Sequence, residues 1–243
     1  MVEAPDAPPQ LSVVLPAFNE ASILEQSIAQ ISEGLRKRNM SFEVLVVENG
    51  SNDETLDVAR RLARENPELI VDSMSQADYG AALRRGLLQA RGRIVVNFDV
   101  DYYDLDFLDA AAKEVLGENR AAVVVGSKRA PGSDDRRALP RRLVTAGFST
   151  ILRVGYGLKV SDTHGMKVLD RLAVADLARA CVLTRDLFDT ELILRIERAG
   201  LRSAEIPVAV EELRPARTSI LRRVPRTVFG LFRLRSALRG SRA

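Results

Sequence analysis

Five aspartates crowd the stretch RGRIVVNFDVDYYDLDFLD, residues 91–109: Asp99, Asp101, Asp104, Asp106 and Asp109. They follow an apolar run, residues 94–98, of the kind that forms a buried strand. Like charges this close repel, so folding alone does not select them. An Asp-x-Asp at a strand end offers hard oxygen ligands suited to Mg2+ or Mn2+. Such ions bind through one or two carboxylates and complete their shell with substrate phosphates. In an extended Asp99-Val100-Asp101 both carboxylates face one side, so the pair can grip a cation that bridges a diphosphate. Asp104 and Asp106 read differently. They precede FLDAAAKEVL and suit the positive N-terminus of a helix, with Asp104 also open as a further ligand.

Alternating strands and helices must position these groups. LSVVLP, FEVLVVE, LIVDSM and RIVVNF are short apolar runs and read as strands. Between them, residues 21–38 carry Leu24, Ile28, Ile31 and Leu35 at helical spacing. SNDETLDVARRLARE reads as a second helix capped by Ser51 or Asn52, and residues 77–90 as a third. This order predicts an α/β fold: a mostly parallel sheet with both faces covered by helices. Ligands of such sheets bind beyond the carboxyl ends of the strands. The polar clusters PAFNE, ENGSND and DVDYYD all fall there.

The second half is less regular. AAVVVGSKR reads as a strand ending at Lys128 and Arg129, residues 141–154 as a helix, and VSDTHGMKVLDR as a short strand or turn. DLFDTELILRIERAG is a helix ended by Gly200, LRSAEIPVAVEEL a last strand region, and residues 224–238 an Arg-rich helix opened by Pro225.

Other machinery is excluded by its missing parts. No G-x-G-x-x-G follows the first strand and no G-x-x-x-x-G-K-[ST] occurs. With one histidine, His164, and one cysteine, Cys181, neither a zinc set nor a Cys-His nucleophile pair is expected. The lone cysteine permits no internal disulfide and points to a reducing compartment, where Cys181 reads as a small buried hydrophobe. Residues 1–10 read as a loose arm without signal-peptide character, and no apolar stretch reaches the roughly 18 residues of a membrane span. A cytoplasmic chain is expected. Net charge is +3, but residues 214–243 contain no acidic residue. Their arginines alternate with Val224, Val228, Phe229, Leu231 and Phe232, a pattern that can lie peripherally on the inner, anionic face of a membrane. With few interleaved aromatics, no nucleic-acid partner is expected.

Seven motifs in order carry a family resemblance: VVLPAFNE, VLVVENGSNDET, YGAALRRGLLQARG, FDVDYYD, VVVGSKR, SDTHGMKVLDR and DTELILRIERAGLRSAEIPV. Together they resemble the inverting family 2 glycosyltransferases of GT-A fold, close in plan to the dolichyl- and polyprenyl-phosphate sugar synthases. The resemblance runs from about residue 11 to 222. It implies a single GT-A domain over residues 11–212, with a nucleotide-sugar half, 11–116, and an acceptor half, 117–212. Residues 213–243 remain as an Arg-rich helix or tail.

It also implies a nucleotide site of Pro16, Ala17, Asn19, Glu20, Glu48, Gly50, Gly80, Asp99 and Val100, with Asp53 supporting its loop. Asp99 and Asp101 are implied as holders of Mg2+ or Mn2+ and the diphosphate. Lys128, Arg129, His164, Arg214, Arg217 and Ser219 are implied contacts of phosphate or acceptor. Five positions depart from the family pattern. Glu48-Asn49 stands where a pair of aspartates is usual, and Tyr103 where the synthases often have a Gln metal ligand. Lys128 replaces Arg and loses its bidentate fork, and Ile220 stands where Lys is common.

The expected partners are a nucleoside-diphosphate sugar and a lipid phosphate, with a second copy of the chain as a further candidate. An ionised phosphate acceptor needs no general base; a hydroxyl acceptor would need one, and Asp162 or Asp189 is placed for it. Two other readings keep the fold: transfer to a small soluble acceptor, or a silent nucleotide-sugar or membrane-binding module. Intact Asp99 and Asp101 weigh against the last.

Overall fold

The computed structural model of the chain describes residues 7–135, 139–210 and 220–239. In chain order the elements are β1 (Leu11–Ala17), α1 (Leu24–Lys37), β2 (Phe42–Asn49), α2 (Thr55–Glu65), β3 (Leu69–Met74) and α3 (Tyr79–Gln89). Then come β4 (Ile94–Asn97), α4 (Leu105–Leu116), β5 (Val123–Ser127), β6 (Asp134–Asp135), α5 (Leu139–Tyr156) and β7 (Lys167–Asp170). Last are α6 (Arg171–Ala180), a 3-10 turn (Arg185–Leu187), α7 (Phe188–Arg198), β8 (Ser203–Pro207), β9 (Ala209–Val210) and α8 (Ile220–Arg239).

Among the described residues seven strands form one sheet in the order β3-β2-β1-β4-β7-β5-β8. Every residue of β1, β2 and β4 is buried, as expected of parallel strands covered on both sides. Alternation along β1 assigns the two faces. Val13 and Leu15 pack with Ile28, Ile31 and Leu35 of α1 and Leu108 and Ala111 of α4. Val14 packs oppositely, with Leu83 and Leu87 of α3, Leu192 and Ile193 of α7 and Leu234 of α8. Cys181 is buried on this second face, and burial pushes its thiol up to about 12.

Two topological features position the site. First, β1 lies between β2 and β4, the point where the winding of the sheet reverses and a crevice opens. Pro16 fits here because β4 pairs with β1 only as far as Val14, so no ladder bond is lost. Second, β7 runs antiparallel to both neighbours, β4 and β5. Its first residue, Lys167, therefore lies opposite Asn97 and Val125, and residues 161–166 join the edge where β1, β2, β4 and β5 end.

The strand expected within SDTHGMKVLDR is β7. Other expectations change: the helix α6 that follows it was not anticipated. Ser51 and Asn52 do not cap α2, which begins after Glu54 without a side-chain cap. α8 starts at Ile220, ahead of Pro225, so that proline does not open it. Gln10, assigned to the loose arm, is already held through its backbone N–H by Ser41. Gly200 does adopt the left-handed conformation, φ +76°, that ends α7.

At the opposite sheet edge Asp170 caps α6 through Leu172 N–H (3.1 Å) and pairs with Arg93 at 2.6 Å. Burial works upward on this carboxyl, but Arg93 and the helix N–H groups outweigh it and hold it below the ordinary range. Its stabilisation is thus present above the unfolded value near 3.9 and is lost as pH falls through the lower folded value. Asp170→Asn should cost about 1–3 kcal/mol at pH 7. In urea titrations the gap to the parent protein should close progressively below about pH 4.

Candidate active site

The loops leaving β1 and β2 are clipped to each other by short polar side chains. Asn19, in the left-handed conformation at φ 56°, donates its N–H to Ser51 Oγ (3.0 Å) and accepts Asn52 N–H at Oδ1 (2.8 Å). Asn tolerates this conformation better than most residues. Glu20 N–H reaches Thr55 Oγ1 at 2.9 Å. Asp53 accepts from the Thr55 N–H, the Thr55 hydroxyl and the Ala21 N–H. Burial nudges the Asp53 carboxyl upward, but these bonds prevail and hold it below its ordinary value. Ser51 and Asn52 thus act as clips between loops, not as caps.

Glu48, the last residue but one of β2, is almost without exposure and accepts Ser51 N–H at 2.5 Å and Ser73 Oγ–H at 2.8 Å, one on each oxygen. Each oxygen keeps a further lone pair for a ligand hydroxyl or amide. Gly50 turns the chain at φ +68°, where a Cβ would lie 2.9 Å from Ala77 N. Gly80 is explained by packing: a Cβ would lie 2.5 Å from the Arg185 carbonyl oxygen. Ala17 is buried at the end of β1, and Val100 is buried within the turn beyond β4.

Asp99 and Asp101 do not lie on an extended strand. β4 stops at Asn97, and Asp99 and Tyr102 form an antiparallel bridge, with backbone bonds of 3.1 and 3.2 Å. Val100 and Asp101 are the central residues of that tight turn. Ser27 Oγ–H fastens the turn to α1 through the Val100 carbonyl at 2.7 Å. Asp101 is exposed, while Asp99 is half-buried and accepts the Tyr79 hydroxyl at 2.8 Å on Oδ1. Burial pushes the Asp99 carboxyl up; the Tyr79 bond and Lys167 pull it back, Asp101 pushes it further up, and Lys128 pulls it down. Burial, with Asp99 and Asp189 nearby, likewise raises the Tyr79 hydroxyl well above its usual value, so it stays a donor.

The remaining aspartates separate cleanly. Asp104 is the N-cap of α4, accepting from Asp106 N (2.8 Å) and Phe107 N (2.9 Å). Asp106 and Asp109 both pair with Arg38, at 3.0 and 2.8 Å. Tyr103 is engaged with α1 and β4: its hydroxyl meets Gln30 and its ring packs on Phe98, 6.3 Å between centroids. It is therefore not needed as a ligand of a cation held by Asp99 and Asp101.

Toward β5 and β8, Glu205 of β8 organises the chain before β7. One oxygen accepts from Ser161 N–H, Ser161 Oγ–H and Asp162 N–H at 2.8, 2.7 and 3.3 Å. Asp162 is 2% exposed and accepts His164 N–H at 3.0 Å on Oδ1, while Oδ2 lies 4.0 Å from Lys128 Nζ. His164 engages both ring nitrogens, Nε2 with the Asp186 carbonyl (2.9 Å) and Nδ1 with Thr163 Oγ1 (3.2 Å). A carbonyl can only accept, so Nε2 carries the proton. Asp189 pairs with fully buried Lys167 at 3.1 Å. Arg129 is exposed beside Lys128. Arg214, Arg217 and Ser219 lie outside the described residues.

Tyr79, Lys167 and Glu205 were not singled out from the sequence. A lysine inside the apolar run MKVLD was a usable signal, since lysine is almost never buried without a partner. Among the described residues no group of three or more His, Cys, Asp or Glu side chains could hold a metal alone. Two hard carboxylates on one turn, one of them exposed, nevertheless fit Mg2+ or Mn2+ that takes its other ligands from phosphates and water. Asp99 and Asp101 would hold it, and Asp104, committed to its cap, is not needed.

Residues 12–178 match the family Glycosyl transferase family 2, and the chain belongs to it. It is 32% identical over 219 residues to glycosyltransferase AglD of Haloferax volcanii, covering 88% of this chain and 35% of that protein. It is 28% identical over 220 residues to the dolichyl-phosphate beta-glucosyltransferase of Drosophila melanogaster, covering 84% and 68%. Among solved structures, mannosyltransferase PcManGT from Pyrobaculum calidifontis, in complex with GDP-Man and Mn2+, aligns at TM-score 0.60 and 26% identity over 91% of this chain and 61% of that one. Mannosyl-3-phosphoglycerate synthase from Rubrobacter xylanophilus aligns at TM-score 0.70 and 20% identity, over 97% and 76%. The sheet is thus that of the GT-A glycosyltransferases. The chain spans about a third of the archaeal relative's length.

A stability test separates burial strain from structural need at Asp99. Its folded pKa lies above the unfolded value, so ionisation costs stability, increasingly as pH rises from about 4 to the folded value. Asp99→Asn should match or exceed the parent's Tm at pH 7 without metal or nucleotide. The gain should vanish in acid, as read by thermal melts across pH.

Proposed function

We propose that this chain is the catalytic unit of an inverting glycosyltransferase that moves a sugar from a nucleoside-diphosphate sugar to a polyprenyl phosphate. The observation that carries the acceptor choice is the charge arrangement beside β7. Of the two carboxylates considered as a base, Asp189 pairs closely with Lys167 at 3.1 Å, while Asp162 lies 4.0 Å from Lys128 and its Oδ2 has no hydrogen-bond partner. A hydroxyl acceptor would need a carboxylate to take its proton and leaves Asp162 as the candidate, whereas a phosphate arrives ionised and is drawn to the lysine beside it. Lys128 lies where it can attract that phosphate.

In the proposed reaction a phosphate oxygen bonds to the anomeric carbon from the face opposite the diphosphate. The carbon–oxygen bond to the nucleoside diphosphate breaks, and that group leaves with the electron pair. No proton need move. The divalent cation, when bound, neutralises charge gathering on the leaving diphosphate. The chain's part is to hold the cation through Asp99 and Asp101, seat the nucleotide against Glu48 and the Asn19–Asp53 loops, and draw in the acceptor.

Two further facts support a lipid acceptor. The Drosophila relative is named for transfer to dolichyl phosphate. Among the described residues no helix is long and apolar enough to cross a membrane, but two helices expose apolar side chains. α5 presents Leu139, Leu143, Ile151 and Val154 with Arg142 and Arg153, and α8 presents Phe229 and Phe232 with Arg233 and Arg235. Neither helix contains an acidic residue. Tyr156 at the end of α5 donates to the Leu231 carbonyl of α8 at 2.7 Å, joining them. Such a pair suits the peripheral surface of an anionic membrane.

A small phosphorylated acceptor is the second reading. Its support is the phosphate-attracting Lys128, which does not depend on a lipid chain. Protein incubated with Mn2+, radiolabelled UDP- or GDP-sugar and either polyprenyl phosphate or 3-phosphoglycerate separates the two. Label should enter the organic phase with the lipid; its absence with every polyprenyl phosphate would sink the lipid assignment. Asp101→Asn should cut turnover by at least about 100-fold, several kcal/mol of lost cation stabilisation. Full turnover at saturating donor would remove Asp101 from the cation site.

A further inference from the structure

Tyr79, the first residue of α3, is tied to its surroundings from several directions. The preceding residue, Asp78, caps the helix through Ala81 N–H at 3.0 Å and accepts Arg185 N–H at 2.7 Å on the same oxygen. Its own N–H donates to Asn49 Oδ1 at the end of β2, 2.7 Å. Gly80 next to it lets the Arg185 backbone approach to a distance that any Cβ would obstruct. The Tyr79 ring packs with the buried cluster beneath the sheet. Its hydroxyl reaches Asp99 Oδ1 at 2.8 Å and has Asn97, the last residue of β4, as a further hydrogen-bond partner.

We propose that Tyr79 is a positioning residue for the divalent cation, holding Oδ1 of Asp99 so that the carboxylate offers the cation its other oxygen, Oδ2, in a single orientation. The inference rests on the reading of Asp99 as a cation ligand and assigns a role to a residue outside the Asp-x-Asp turn. The physical reason is entropic and geometric. An Asp side chain free to rotate can present either oxygen, or both, and loses that freedom on binding; a fixed donor removes the alternatives beforehand. The constraint matters here because the turn carrying Asp99 and Asp101 leaves the sheet immediately after β4. Below it, the main fastening of the Asp99 carboxylate is the tyrosine hydroxyl. Hydrogen bonds to metal-ligating carboxylates commonly change metal affinity by about 10- to 100-fold when removed.

Tyr79→Phe deletes the hydroxyl and keeps the buried ring. The test measures free Mn2+ by electron paramagnetic resonance while Mn2+ is titrated into parent and variant, each with saturating UDP and, separately, GDP. Nucleotide binding without Mn2+ and the Tm are recorded in parallel. The expected result is Mn2+ affinity weaker by about tenfold or more, with unchanged metal-free nucleotide binding and a closely similar Tm. Equal Mn2+ affinity in parent and variant overturns the role of Tyr79 while leaving the cation site intact. A parent that binds no Mn2+ with either nucleotide overturns the cation assignment itself, and the inference with it. Loss of metal-free nucleotide binding together with a large fall in Tm shows a structural role and also overturns it.

Discussion

Lys167 and Asp189 face each other at 3.1 Å, and both are almost entirely sequestered from water. Removing one partner of such a pair leaves a buried charge uncompensated, typically at about 3–5 kcal/mol. The pair therefore fastens the start of β7 to α7 far more strictly than hydrophobic packing alone would. The rest of the site depends on that placement. β7 is four residues long, and a one-residue slip would turn its side chains to the wrong faces. With Lys167 fixed opposite Asn97, residues 161–166 reach the edge that also carries Asp99 and Lys128.

The edge is an arrangement of opposed charges with a direction. On the side of β1 and β2, acidic and amide side chains bond to backbone N–H groups and set loop shape, as Asp53 and Asn19 do. At the end of β4, Asp99 is held partly buried at an electrostatic cost that nearby Lys167 and Lys128 reduce. Beyond β7 the carboxylates Asp162 and Asp189 face lysines.

Much of the architecture was legible in the residues. The strands β1, β2 and β4 are nearly continuous apolar runs because both faces of a parallel sheet are covered there, the edge strand β3 is only half-buried past Leu69, and the run lengths marked all four to within a residue or two. Asp104 as a helix-starting residue was also legible, since capping depends on neighbours two and three positions away. Ser51 and Asn52 misled because the same side chains that cap helices also clip loops, and their partner Asn19 lies 32 or 33 residues away. The extended Asp99–Asp101 geometry failed for a similar reason. A bridge between Asp99 and Tyr102 closes the turn, and nothing in the residue types distinguishes a strand that continues from one that folds back.

The sequence by itself determined the family, the parallel half of the sheet and the identity of the Asp-x-Asp pair, all of which rest on local patterns and on motif order. Only the tertiary structure decided the antiparallel placement of β7, the engagement of Tyr103 with Gln30, and the burial of Lys167 against Asp189. It alone brought Tyr79 to Asp99 across 20 residues of chain. These outcomes turn on which distant side chain offers a charge or a hydrogen bond when water is excluded. Such partnerships form between elements that no local spacing connects.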